Sequence, residues 1–212
     1  MSVDVTIVDH PIAHDSLSLI RDASTPTDIF RHQVDRVGLV LMAEATRHLP
    51  TEATKVRTPL ADAPARRLEG VPVLVPILRA GLGLVGAAQQ LLPGADVGFV
   101  GVARDETTHT PVAYVDKLAD DLSGRPVIVL DPMLATGGSL MYVIDLLRSH
   151  GSDLPLTVVC LLAAPEGIER IDREADVDVR IVTAAVDDHL NDQAFIVPGL
   201  GDAGDRLFGR PG

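Results

Sequence analysis

From residue 71 onward the chain repeats one grammar, a short and nearly unbroken apolar run followed by a stretch with helical spacing. The runs are VPVLVPIL, DVGFVGVA, PVIVLD, LPLTVVCLLAA and VDVRIVTA. Apolar runs of this length without polar alternation describe strands buried on both faces, and the intervening helices supply the cover. Strands connected through helices run parallel, so the pattern predicts an α/β fold built on a parallel sheet. The helices are expected at about residues 83–92, 138–150 and 165–174, with Leu140, Ile144 and Leu147 on one buried face and Gly151 closing the second. Pro76 lacks a ladder donor, which marks a strand end or a distorted segment facing a site.

The flanks follow other rules. In TPTDIFRHQVDRVGLVLMAEATRHL, Phe30, Val34, Val37, Leu41 and Ala45 form one helical stripe, with Thr25 as capping hydroxyl and Pro26 in the first turn. N-terminal helices are therefore expected over about residues 10–50, and residues 51–70 read as a hairpin. The polar segment 104–125, RDETTHTPVAYVDKLADDLSGR, alternates around Val112–Val115 and predicts a long hairpin able to close over a ligand. The tail from Asp187 is too rich in glycine and proline for a long helix, yet Phe195, Ile196, Val197 and Phe208 ask for burial, so a folded cap on the sheet is expected. With no repeat or linker, residues 1–212 read as a single domain, its core at about 71–185.

Charge and cysteine content narrow the function classes. The formal net charge of −12 opposes nucleic-acid binding. No apolar window approaches a membrane span and the N-terminus lacks an apolar signal core, so the expected location is the cytoplasm. Lys55 and Lys117 are the two lysines, and the remaining basic residues are arginines, whose planar forks suit phosphate oxygens. Cys160, inside an apolar strand, is expected to be buried and inert. His10 and His14 stand four apart without a third ligand and are read as an exposed helix face.

Two glycine-rich turns carry the chemistry. Gly81-Leu-Gly83-Leu-Val-Gly86 completes a G-x-G-x-x-G after a buried strand, a pattern shared by dinucleotide turns and other anion seats. Asp105 follows at an offset near that of a ribose-binding acid, which keeps an NAD(P)-dependent oxidoreductase open on spacing alone. The second turn is VIVLDPMLATGGSL, in which a buried strand ends in Asp131 and Thr136-Gly137-Gly138-Ser139 opens a helix. Backbone N–H groups, two hydroxyls and a helix dipole make that turn a seat for a phosphate monoester, with Asp131 placed for sugar hydroxyls. No lysine follows the glycines, which excludes the loop of nucleoside triphosphatases.

The order strand, acid, Thr-Gly-Gly resembles the phosphoribosyltransferases, which bind phosphoribosyl pyrophosphate (PRPP). Four segments, VPILRAGLG (75–83), DPMLATGGS (131–139), AAPEGI (163–168) and PGLGDAGDRLFG (198–209), narrow the resemblance to the uracil phosphoribosyltransferase family, whose branch carries Pro132 where a second acid is usual. The resemblance implies a type I phosphoribosyltransferase fold with a β-hairpin lid and a C-terminal hood over about residues 186–209. It implies transfer of the phosphoribosyl group of PRPP to uracil, giving UMP and pyrophosphate. GLGLVG then reads as a pyrophosphate loop, with Arg79 before it.

By the same resemblance, PRPP is held by Arg79, Ala80, Gly81, Gly83, Arg104, by Asp131, Pro132, Met133, Leu134, Ala135, Thr136, Gly137, Gly138 and Ser139, and by Asp202. Uracil is read by Ile196, Gly201, Asp202 and Ala203, and Arg79, Arg104 and Asp202 are the catalytic candidates. Magnesium (Mg2+) is expected on the substrate pyrophosphate with no protein side chain as ligand. GTP as effector and a homo-oligomer are family traits. A PRPP- or nucleotide-sensing regulator without turnover is the alternative from another class. Arg79 as a surface ion-pair partner, and Asp202 and Asp205 as turn caps, are the structural readings of the same residues. Phe195 is expected in the cap's core, and His189 stands where the family often has glycine.

Overall fold

The computed structural model of the protein describes residues 2–104 and 111–209, without the side chains of 103, 104 and 111–113. In chain order the elements are β1 (Val3–Ile7), α1 (Pro11–Arg21), α2 (Thr27–Ala45), β2 (Thr51–Arg57), β3 (Asp62–Leu68), β4 (Val73–Leu78) and α3 (Leu82–Leu91). Next come β5 (Phe99–Arg104), β6 (Pro111–Lys117), β7 (Val127–Leu130), the short β8 (Met133–Leu134) and α4 (Gly138–Ser149). They are followed by β9 (Leu156–Ala163), α5 (Pro165–Glu174), β10 (Val179–Val186), β11 (His189–Leu190), β12 (Ile196–Val197) and α6 (Ala203–Phe208).

The central sheet runs β1-β10-β9-β7-β4-β5-β6, with β8 beside β9. Every pairing in it is parallel except β5 with the edge strand β6. Alternation along β7 shows why the strands read as unbroken apolar runs. Val127 and Val129 join one buried cluster with α4 and α5, while Ile128 and Leu130 join the other with α1, α2 and α3. Both faces are covered, so neither tolerates a polar residue. Leu140, Ile144 and Leu147 are buried as their spacing predicts, and Gly151, at φ 81, follows the end of α4. Pro76 lies within β4, beside Leu130. Leu74 donates toward the β5 side, to Asp96, so the donor missing two residues later belongs to a stretch where assigned pairing with β5 has yet to begin.

Several expectations need correction. The helices expected over about residues 10–50 are α1 and α2, but an edge strand that was not expected, β1, precedes them and pairs parallel to β10. Thr25 does not cap α2. Its hydroxyl donates to the Leu19 carbonyl at 2.7 Å, and Pro26 occupies the cap position without a side-chain bond. His10 precedes α1 and caps it, its Nδ1 accepting from the Ile12 N–H. Residues 51–68 form the expected hairpin, β2 with β3. The segment around Tyr114 also pairs antiparallel with β5, and residues 105–110, Asp105 among them, lie outside the described residues. Tyr114 lies across Gly101, where a Cβ would come within 2.6 Å of the ring. Cys160 is buried, as expected, and burial pushes its thiol up to about 12.

The tail folds over the carboxyl ends of the strands and is stitched to the first helix. Arg21 bonds the Asp187 carboxylate through Nη1 at 2.8 Å and the Gly199 carbonyl at 2.9 Å, while Asp187 accepts from the Gly199 N–H. Arg206 donates to the carbonyls of Ile20, Leu200 and Asp22 and stacks on Phe30, 4.3 Å from its ring centre. Ile196, Leu200, Ala203 and Leu207 are buried against α2 and α3. Phe208, which was expected to be covered, is 43% exposed.

Candidate active site

The carboxyl ends of β4 and β7 face the hood, and the two glycine turns leave the sheet there. They are built differently. After β4, the Leu78–Arg79 peptide is cis and the chain turns at once. A Cβ on Gly81 would sit 2.3 Å from the Leu130 carbonyl oxygen, so only glycine lets this turn lie against the neighbouring strand. The turn's donors are spent inside it: Gly81 bonds Ile77, Leu82 bonds Arg79, Gly83 bonds Ala80 and Leu84 bonds Gly81. A Cβ on Gly83 would meet Leu207 of α6 at 2.7 Å, and one on Gly86 would make ordinary contact with Asp35.

The N–H groups of residues 81–84 in GLGLVG are thus engaged within the turn. Its glycines serve strand and hood packing, and of the expected set Arg79 and Ala80 face the cavity while Gly81 and Gly83 do not border it. A dinucleotide turn would instead aim these N–H groups outward at a pyrophosphate.

The second turn also spends donors within the fold: the Asp131 N–H bonds Val159, Ala135 bonds Met133 and Gly138 reaches the Thr136 hydroxyl at 3.4 Å. Residues 131–139 are locked from behind by β9: the Pro132 carbonyl accepts from Leu161 and Leu162, and Ala164 donates to Leu134. Gly167 of α5 presses against the same turn, since a Cβ there would lie 2.3 Å from the Ala135 carbonyl oxygen. That close approach accounts for the glycine in AAPEGI. Gly137 takes φ 73 and starts α4, which has no side-chain cap. The first-turn N–H groups of α4 therefore have no intrahelical partner and border a cavity of about 80 Å³ lined by Asp131 and residues 133–140.

Two more cavities share lining residues with it. A space of about 250 Å³ lies between Arg79, Ala80, Asp131, Met133, Ser139 and Asp202. Another, of about 200 Å³, lies under the hood between Ala80, Met133, Ala135, Phe195, Ile196 and Ala203. Met133 borders all three, Asp131 the first two and Asp202 the last two. A larger space of about 570 Å³ opens on the far side of Gly201 and Asp202, toward Thr25 and Thr27.

The charged groups have defined partners. Arg79 Nη2 lies 3.2 Å from Asp205 Oδ1, both partly exposed, so a hood acid holds the arginine that borders the central cavity. Asp202 caps α6, its Oδ1 accepting from the Asp205 N–H at 2.8 Å. The capping role weighed for Asp202 is therefore real, and it fixes where Asp205 stands. Asp131 accepts a long bond, 3.5 Å, from the Met133 N–H, and burial raises its carboxyl to about 7. The Arg104 side chain lies outside the described residues. Phe195 is 41% exposed at the mouth of the hood cavity and not in the hood's core, which corrects the expectation.

A model of the uracil phosphoribosyltransferase family matches residues 7–210. The chain belongs to that family. It is 50% identical over 206 residues to the uracil phosphoribosyltransferase of Symbiobacterium thermophilum, covering 97% of this chain and 98% of that one. The Kocuria rhizophila uracil phosphoribosyltransferase is 48% identical over 207 residues, covering 97% and 98%. Among solved structures, the AQ2163 protein of Aquifex aeolicus superposes with a TM-score of 0.89 at 36% identity, over 97% of this chain and 98% of that one. A Pyrococcus horikoshii purine phosphoribosyltransferase shares the fold, with a TM-score of 0.50 at 18% identity over 72% and 83%. The fold is that of the type I phosphoribosyltransferases, and no oxidoreductase is needed to explain GLGLVG. Sequence reasoning weighed Asp205 as a turn cap and missed its ion pair with Arg79, whose one clue is its place three residues after a helix-capping acid.

Proposed function

We propose that the protein transfers the phosphoribosyl group of PRPP to uracil, releasing pyrophosphate and forming UMP. The observation that carries this reading is a set of three cavities with shared lining residues, with a helix N-terminus at one end, Arg79 in the middle and an apolar pocket under the hood. The 5-phosphate takes the α4 end, through the N–H groups and hydroxyls of residues 136–139. Asp131 accepts the ribose hydroxyls, the pyrophosphate lies toward Arg79 and Arg104, and uracil lies under Ile196, Gly201, Asp202 and Ala203.

Departure of pyrophosphate builds positive charge on the sugar and negative charge on the leaving group. The protein's work is therefore to hold uracil N1 in line and stabilise the departing charge. Arg79 and Arg104 do the second task, and Asp202 is the candidate to relieve uracil of its proton. A site that pairs with uracil O4 and N3–H leaves its own polar groups unpaired against cytosine, which favours uracil by about 10⁴-fold.

Among the described residues no three His, Cys, Asp or Glu side chains converge as a metal site. Asp131 and Asp202 are single hard-oxygen donors beside the central cavity, which fits magnesium held mainly by substrate oxygens and water. Bound there, magnesium would neutralise pyrophosphate charge. We further propose a single catalytic domain over residues 1–212 that works in the cytoplasm as a homo-oligomer, with GTP as effector. Sedimentation with and without GTP tests the last two. No described helix is long and apolar enough to cross a membrane.

Labelled uracil with PRPP and magnesium tests the main reading. Wild type should form labelled UMP, and Arg79→Ala should lose about 100-fold or more in kcat/KM for PRPP. Full activity in that variant would remove Arg79 from the site.

A further inference from the structure

The outer wall of the hood cavity rests on a strained turn. Ala194 borders that cavity and, among the described residues, is the one residue other than glycine with positive φ, at 61°. A Cβ makes the left-handed region unfavourable, so such a residue stays there only where its surroundings over-determine it. Asn191 supplies that determination. Its side-chain oxygen accepts from the N–H groups of Gln193 at 3.0 Å and Phe195 at 2.9 Å. Its backbone N–H donates to the Phe195 carbonyl at 2.9 Å, and its carbonyl accepts from Ala194 at 2.8 Å. One exposed residue thus holds both polar backbone groups of Phe195 and the N–H of Ala194. Directly after Phe195, pairing of Leu190 with Ile196 and of His189 with Val197 anchors the next stretch.

Asn191 does not border the cavity, so any role in substrate recognition passes through the backbone it clamps. We propose that Asn191 is the positioning residue of the base site, fixing the Ala194–Ile196 backbone at the place from which it meets uracil. This rests on the reading that uracil occupies the hood cavity. Hydrogen bonds to a flat, small ligand weaken steeply with misalignment, so loosening this turn costs base affinity before it costs fold. The PRPP end is built from other elements, β7, β8 and α4, and does not share the turn.

Steady-state titrations of uracil and of PRPP with wild type, Asn191→Ala and Asn191→Asp test the proposal. The alanine variant should show a uracil KM raised about tenfold, with the PRPP KM within about twofold of wild type. The aspartate variant keeps the acceptor oxygen and should stay within about threefold of wild type for both substrates. A uracil KM unchanged in Asn191→Ala, or equal rises in both KM values, overturns the proposal. If the alanine variant fails to fold, Asn191→Asp carries the test, and a tenfold rise in its uracil KM is the overturning result. The underlying reading fails separately, when wild type itself releases no pyrophosphate in response to uracil.

Discussion

Asp131 ends its strand as a carboxyl raised to about 7 by burial, with one long backbone bond to set against that cost. Folded, it holds its proton over a range where the unfolded chain has already lost it. Between the ordinary carboxylate range and about pH 7 the folded state binds more protons, so the contribution of this residue to stability falls as pH rises through that window and stays low above it. Asp131→Asn is therefore expected to raise the melting temperature at pH 8 by about 3 °C, with no gain near pH 4, while cutting kcat/KM for PRPP by about 100-fold. A melting series across pH, read beside the kinetics, checks both halves. The ionised acid accepts two hydroxyls better than the protonated one, so if Asp131 holds the ribose as proposed, PRPP binding near pH 7 should release a proton, measurable by calorimetry in two buffers of different ionisation enthalpy. The acid at the strand end was legible because it follows VIVL directly. Its raised pKa was not, since burial comes from elements far away in the chain. Gly83 shows the same limit: the pattern announced a glycine, and its reason, Leu207 of α6, lies far downstream.

Among the elements, α4 and α5 carry the clearest consequences. Gly167 brings α5 against the Ala135 carbonyl, so Gly167→Ala must push the phosphate turn or the helix. The PRPP KM should rise about tenfold with the uracil KM little changed, in the same titrations. At its other end α4 stops at His150, whose Nδ1 faces the Ala119 carbonyl at 2.9 Å and whose Nε2 faces Asp116 of the edge strand β6 at 3.2 Å. Both ring nitrogens meet acceptors, which only the imidazolium satisfies. Burial opposes that charge, but the bonds to Ala119 and Asp116 and the fields of Asp116 and Asp120 outweigh it and raise the pKa. This support is full below about pH 6.5 and is lost as pH climbs through the raised value. Urea unfolding should therefore show wild type losing more stability between pH 6 and 8 than His150→Gln. Unbroken apolar runs made the buried strands and their helices readable. The edge strand β1 was missed although Val3, Val5 and Ile7 alternate with Asp4 and Thr6, because a half-covered edge needs its partner β10 to declare it.

Across the molecule the hood is fastened by arginines to the first helix and its following turn. Asp187 is nearly buried, and Arg21 spans from it to Gly199. Removing the carboxylate leaves a partly buried guanidinium without its charge partner, so Asp187→Ala should cost about 3 kcal/mol, or about 6–12 °C in melting temperature. Uracil affinity should suffer more than PRPP affinity, since the strand ends and the phosphate turn are not part of this clamp. The parallel sheet was implied by the sequence, but the clamp was not, because nothing local pairs an arginine with an acid so far along the chain. Arg21 and Asp187 stand 166 positions apart, and Arg206 reaches back to Ile20 across 186. On the ribosome these partners are made at opposite ends of synthesis. The hood, proposed above as the seat for the base, is thus synthesised after the sheet and the phosphate turn, and a chain cut before Asp187 has no clamp to hold it.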